Sequence, residues 1–233
     1  MIHLSVHPTQ EAAAQAAADR VAAAIAEAQS LRGVAHVSLA GGNTPRRAYE
    51  LLGPRLADPV HVDWWFGDER CVPADDPDSN YRLVAESLLA TAPIPPDRVH
   101  RIRGEDLPLL AATAYDEELM RQVPVNRSGV PVLDVAFLGL GEDGHTASLF
   151  PGDPALDVTD ALAVPVVARK PPPNRITLTL PVLRAARKVL ILAAGTAKAD
   201  AVARMLAGPD RATPASLLAD ADVTLVVDQE AVP

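Results

Sequence analysis

The chain has 233 residues, 48% of them hydrophobic and 22% charged, with 21 Lys and Arg against 30 Asp and Glu for a formal net charge of −9. That length suits one α/β domain over residues 1–233, and the charge excludes a nucleic-acid surface, which needs a basic stripe to displace phosphate counterions. Cys71 is the one cysteine and the six histidines are scattered, so no internal disulfide and no structural metal are expected.

Thr9 is a candidate N-cap for a long helix dominated by alanine, with Val21 and Ile25 four apart on one face. Gln15, Asp19, Arg20 and Glu27 interrupt this segment and no basic run precedes it, so it reads as a packed helix rather than a signal or membrane span. The expectation is a cytoplasmic protein without a membrane partner. Val34 to Ala40 reads as a strand, followed at once by Gly41, Gly42, Asn43, Thr44 and Pro45. Thr44 is placed to cap the next helix with Pro45 in its first turn, and the helix should stop at Gly53. Such a strand, Gly-Gly turn and helix start suits a phosphate, because glycines let the backbone approach a ligand and the first N–H groups of a helix are free. An ordinary βα turn that needs glycine to bend fits the same residues, and no Gly-Lys-Ser/Thr follows to make it a Walker loop.

Val62 to Phe66 is a buried strand carrying both tryptophans, and it runs into Asp68, Glu69 and Arg70. Those three charges are either a solvated loop or part of a site, since charge placed directly after an apolar strand favours function. Cys71 beside Arg70 suggests a lowered thiol pKa without marking a nucleophile. Ser79 reads as the cap of a helix from Asn80 to Ala90, Arg98 to Arg103 as an edge strand, and Asp106 as the cap of a helix over Leu107 to Gln122.

Leu133 to Leu140 is a further apolar strand, ending in a Gly-rich turn that delivers Asp143 and His145. In an open α/β sheet ligands sit beyond the carboxyl ends of the strands, so this acid and base stand where chemistry would occur. Gly139 to Gly144 matches G-x-G-x-x-G formally, yet Pro151-Gly152 cuts the following segment short, which argues against a dinucleotide site. Ala161 to Ala168 and the segment opened by Arg175 read as strands, Leu183 to Arg187 as a short helix and Val189 to Ala194 as a buried strand. A helix then starts at Gly195-Thr196 with Lys198 in its first turn. A cation there opposes the helix dipole, so Lys198 either faces an anion or snorkels at the surface. Pro214 to Ala219 and Val223 to Val227 are a last helix and strand.

Four ordered blocks, SLAGGNTPRRAYELL, WWFGDERCVPADDPDSNYRLV, LDVAFLGLGEDGHTASLFPG and RITLTLPVLRAARKVLILAAGTAKADAV, together resemble the 6-phosphogluconolactonases, in the superfamily shared with glucosamine-6-phosphate isomerases. The resemblance implies a modified Rossmann-like α/β fold with a mainly parallel central sheet flanked by helices. It also implies a cytoplasmic enzyme of the oxidative pentose phosphate pathway that hydrolyses 6-phospho-D-glucono-1,5-lactone without an obligatory metal or organic cofactor, as a monomer or weak homo-oligomer.

Lactone hydrolysis needs an activated water, a counter-charge for the developing oxyanion and an anchor for the phosphate. His145 is the candidate general base, Asp143 its orienting partner and Arg70 the stabiliser of negative charge. Asp68 would fix Arg70 or the sugar hydroxyls. Gly41, Gly42, Asn43 and Thr44 would cradle the phosphate, with Arg175 and Lys198 as countercharges. The isomerase branch carries an Asn-Glu pair shortly after the histidine, where this chain has Leu149 and Phe150. A non-catalytic sugar-phosphate sensor would need a DNA-binding segment, and Met1 to Ser38 contains no helix-turn-helix pair.

Overall fold

The computed structural model describes residues 2–233. Six strands form a wholly parallel sheet: β1 (Ile2–His7), β2 (Ala35–Leu39), β3 (Val62–Phe66), β5 (Val135–Gly139), β8 (Lys188–Ala193) and β9 (Val223–Asp228), in the order β1-β9-β8-β5-β2-β3. A second, antiparallel sheet has the order β4-β7-β6, from β4 (Asp68–Arg70), β7 (Asn174–Leu178) and β6 (Ala163–Val167). Helices α1 (Gln10–Arg32), α2 (Asn43–Leu52), α3 (Asn80–Ser87), α4 (Pro108–Gln122), α5 (Leu180–Ala185) and α6 (Ala199–Leu206) complete the α/β architecture.

The central strands are buried on both faces, which is why they read as continuous apolar runs. Leu39, Trp64, Trp65, Phe66, Phe137 and Leu138 have no exposed surface, and burying each side chain of this kind stabilises the fold by about 1.5–3 kcal/mol. Helix α1 starts where Thr9 Oγ1 accepts from Ala12 N and ends at Gly33, whose φ of 81° gives a left-handed cap. Its buried face is built of Ala13, Ala17, Ala24 and Ala28 around Val21 and Ile25. Side chains this small let the helix lie close against β8, β9 and α2.

Several local expectations are corrected. Ile2–His7 is an edge strand that its interleaved histidines conceal from a pattern search. Gly42, not Thr44, precedes the first residue of α2: with φ at 93° it turns the chain directly into a helix beginning at Asn43. Leu107 rather than Asp106 precedes α4. Arg98 to Arg103 makes no strand; only Val99 bridges Trp64, because His100 turns inward to stack on Trp65 with ring centroids 4.1 Å apart. The short helix expected at Leu183 begins three residues earlier, at Leu180. Asp68, Glu69 and Arg70 are neither loop nor solvated: they are β4, with Asp68 and Glu69 buried.

The strand order places the site. From β2 the chain goes to β3 on one side, and the sheet neighbour that follows β5 in sequence, β8, lies on the other. The connections leaving β2 and β5 therefore diverge, which is the topological switch point at which open α/β sheets bind ligands. The β2–β5 ladder pairs only Val37 with Val135 and Ser38 with Ala136, while both strands run on. Their carboxyl ends part, and a cleft opens between them.

Candidate active site

A cleft of about 200 Å³ at this switch point is lined by Gly41 to Thr44, Asp68, Arg70, His145, Arg175 and Lys198. Asp143 lies behind His145 on the wall of a broader groove of about 930 Å³ that shares Gly141, His145, Arg175 and Lys198 with the cleft. Residues as far apart in the chain as Gly41 and Lys198 thus meet in one concavity.

The Gly41-Gly42 turn brings the backbone to the cleft floor, and the N–H groups of the first turn of α2 have no intrahelical acceptor. Their partial positive charge faces the same space as Lys198, which stands in the 3₁₀ turn Thr196–Lys198 ahead of α6.

Arg70 and Arg175 are direct cross-strand partners in β4 and β7. Like charges so placed repel and destabilise a sheet. Burial, then the repulsion of Arg70, lowers the Arg175 pKa from its usual value. Arg175 is held by a hydrogen bond from Nε to the Pro172 carbonyl at 3.2 Å and lies over the Phe150 ring at 5.7 Å. Arg70 Nη1 donates to the Asp78 carbonyl at 2.5 Å, while its Nε is buried without a partner. Neither arginine nor Lys198 is in a salt bridge. Three unneutralised cations around one cleft, in a chain of net charge −9, suit an anionic ligand.

The turn after β5 is shaped to present the histidine. Gly141 N donates to the His145 carbonyl at 2.8 Å, and His145 Nδ1 lies 2.5 Å from Asp143 Oδ1. The imidazole folds over Gly141 so closely that a Cβ there would fall 2.1 Å from Nδ1. Hydrogen bonding to His145 holds the Asp143 carboxyl down at about 2, so it is ionised and accepts only. Nδ1 must then be the donor, so the neutral tautomer of this ring has its lone pair on Nε2. Phe150 packs against the ring with centroids 4.8 Å apart, and from α6 Arg204 donates to the Glu142 carbonyl at 2.8 Å. Ala147, a cleft residue, holds a φ of 49°, a strained conformation of the kind that gathers at functional sites.

Asp68 is fixed by two buried donors, Ser148 Oγ at 2.5 Å and Asn80 Nδ2 at 3.1 Å. Its neighbour Glu69 points the other way and accepts from Arg70 N, Asn80 N, Tyr81 N and Ser79 Oγ. Burial pushes Glu69 up to about 7 against these donors. Burial also raises the Cys71 thiol rather than lowering it, so proximity to Arg70 does not activate it. Sequence reasoning missed Ser148 and Phe150 as site residues, and saw Asn80 only as a helix start. Ser148 lies 80 residues from Asp68, a contact that no local pattern encodes. Among the described residues no group of three or more His, Cys, Asp and Glu side chains is placed to hold a metal ion, and no helix is long and apolar enough to cross a membrane.

Over residues 8–227 the sequence matches the model of the family described as glucosamine-6-phosphate isomerases/6-phosphogluconolactonase, and the chain belongs to that family. Within it, the chain is 43% identical over 219 residues to the 6-phosphogluconolactonase of Streptomyces coelicolor, covering 88% of this chain and 83% of that one. It is 40% identical over 191 residues to the Synechocystis protein of the same name, covering 81% and 76%. The solved structure of 6-phosphogluconolactonase from Trypanosoma brucei aligns with a TM-score of 0.90 at 32% identity, over 99% of this chain and 97% of that one.

Proposed function

We propose that this chain is a cytoplasmic enzyme that hydrolyses 6-phospho-D-glucono-1,5-lactone to 6-phospho-D-gluconate in the oxidative pentose phosphate pathway, acting as one domain over residues 1–233. The observation that carries the proposal is the meeting of a carboxylate-oriented imidazole and a cationic, helix-ended anion cradle in one cleft. The phosphate sits against Gly41 to Thr44, with Arg175 and Lys198 as countercharges. The lactone carbonyl then lies toward His145. His145 Nε2 takes a proton from water as the water oxygen bonds to C1, and the carbonyl π electrons move onto oxygen beside Arg70. When the intermediate collapses, the C1–O5 bond breaks and the imidazolium returns its proton to O5. Asp143 stabilises the imidazolium in between. Water and lactone supply every atom of the product, so no further reactant is required.

The family also includes isomerases, which move a proton between carbons. By resemblance, that branch carries a glutamate where this chain has Phe150, whose ring packs on His145 and transfers no proton. The test is lactone consumption by the purified protein under conditions of slow spontaneous opening, beside ammonia release from glucosamine 6-phosphate. Turnover of the lactone and none of the amino sugar is expected. Binding of the lactone without turnover would favour a sensor and overturn the proposal.

A further inference from the structure

We propose that Asn80 is a positioning residue that couples the glycine cradle to Asp68, so that one buried amide sets both the anion end and the reacting end of the cleft. The proposal rests on the lactonase reading above.

Asn80 opens α3 and is 1% exposed. Its main chain is anchored by donation to Glu69 Oε1 at 2.7 Å. Its side-chain NH₂ is used twice, on the Asp68 carbonyl at 2.9 Å and on Asp68 Oδ1 at 3.1 Å. The amide oxygen is buried without a partner and occupies the space over Gly41. A Cβ built on Gly41 would fall 1.7 Å from Asn80 Oδ1, and the two next nearest atoms, Cγ and Nδ2, belong to the same amide.

Gly41 and Gly42 are therefore glycines for different reasons. Gly42 has open space around it and a φ of 93°, so its backbone conformation demands glycine. Gly41 lies outside the left-handed region, and what excludes a side chain there is Asn80.

At its other end the amide works with Ser148, whose hydroxyl takes the remaining Asp68 oxygen at 2.5 Å. Asp68 is the one carboxylate on a cleft wall that also presents Arg70, Arg175 and Lys198. A free carboxylate in that position would turn onto the arginines and neutralise the charge that the substrate needs. Tethered from both sides, it forms no salt bridge with them and keeps its outward lone pairs for a substrate hydroxyl.

The test is a kinetic double-mutant cycle with a size-swap arm. Asn80→Ala should lower kcat/KM about tenfold or more, chiefly through KM, while Asp68→Asn/Asn80→Ala should lie within about threefold of Asp68→Asn alone, because the amide acts through that carboxylate. Gly41→Ala should be impaired, and Gly41→Ala/Asn80→Ala should be no worse than Asn80→Ala, since removing the amide makes room for the methyl. Asn80→Ser, which retains a hydroxyl too short to reach Asp68, replaces Asn80→Ala in both arms if the alanine variant does not melt cooperatively. Losses that multiply in the kinetic cycle, or a Gly41→Ala defect that persists without the amide, would overturn the role of Asn80. The wild-type protein separates the two readings: no lactone turnover by it would overturn the lactonase proposal, whereas wild-type turnover with independent losses would overturn the coupling alone.

Discussion

The two ends of the parallel sheet treat charge in opposite ways. At the amino ends of β2 and β3, His36, Asp63 and His100 are all buried and all partnered: His100 lies 2.7 Å from Glu118 and 3.3 Å from Asp63, and Arg98 donates to Asp63 at 3.1 Å. Nearby, Asp134 accepts from Arg32 at 2.7 Å and from the His36 N–H at 2.9 Å. At the carboxyl ends, Arg70 and Arg175 face each other across a ladder, Lys198 stands unpaired, and His145 is part-exposed in a cleft. Each end has a histidine bonded to carboxylate, so that pairing alone does not mark a catalytic group. His100 has two carboxylates and a stacking tryptophan that leave it no free nitrogen. His145 has one carboxylate, on Nδ1, and lines the cleft with no hydrogen-bond partner on Nε2 among the described residues. The first arrangement favours the folded state, whereas the second sets Arg70 against Arg175 without a salt bridge to either, a strain of the kind that binding sites carry.

The contrast breaks most sharply at His145. His145→Ala should cut lactone turnover by about 10²- to 10⁴-fold while leaving the melting temperature within a few degrees of wild type. Equal activity, or a lost fold, would place this histidine with His100. Asp143→Asn should follow with a loss of about 10²-fold in kcat, because an amide can donate to Nδ1 and so move the proton to Nε2, where it blocks the base. A steady-state assay at saturating lactone reads this directly.

At the other end the expected loss is one of stability. His100→Gln should cost about 1–3 kcal/mol in denaturant unfolding, since it leaves the buried Asp63 with Arg98 as its remaining cation and the part-exposed Glu118 with none, and turnover at low temperature should be near normal. Burial alone would lower the His100 pKa, but hydrogen bonds to Asp63 and Glu118 outweigh it and raise the value to about 9. The protonated ring therefore stabilises the fold fully below about pH 6.5, its usual value, and that contribution fades as the pH climbs through about 9. Melting temperatures across that window should fall for the wild type and fall less for His100→Gln. His36 is shifted the other way by burial, and its Nδ1 accepts from Trp65 Nε1 at 3.4 Å, as a neutral ring does.

The smallest effect expected is at Arg175. Arg175→Met should raise KM for the phosphorylated lactone about tenfold, yet leave stability unchanged or slightly improved, because it relieves the repulsion with Arg70. A clear fall in melting temperature would mean that the cleft cations support the fold after all.

The parallel sheet was legible because β2, β3, β5 and β8 are buried on both faces and show as apolar runs. In the second sheet β6 and β7 read as strands, but β4 did not: it is three charged residues whose pairing with β7 depends on a segment more than 100 residues later. The residues that face the cleft were legible for a related reason, since glycines and charges directly past apolar strands stand out. Asn80 and Ser148, which fix Asp68, did not, because their contacts cross between elements and leave no spacing to read; Phe150 was read as the residue in place of the isomerase glutamate, not as a ring packed on His145. Thr44 shows the limit at short range, where a backbone angle at Gly42 decided the helix start over the better capping side chain.

The account reduces to one ligand lying across one cleft. A crystal structure with 6-phosphogluconate should place its phosphate against Gly41 to Thr44 with Arg175 and Lys198 in contact, and its carboxylate within hydrogen-bonding distance of His145. A phosphate bound elsewhere, or a carboxylate held away from the imidazole, would contradict it.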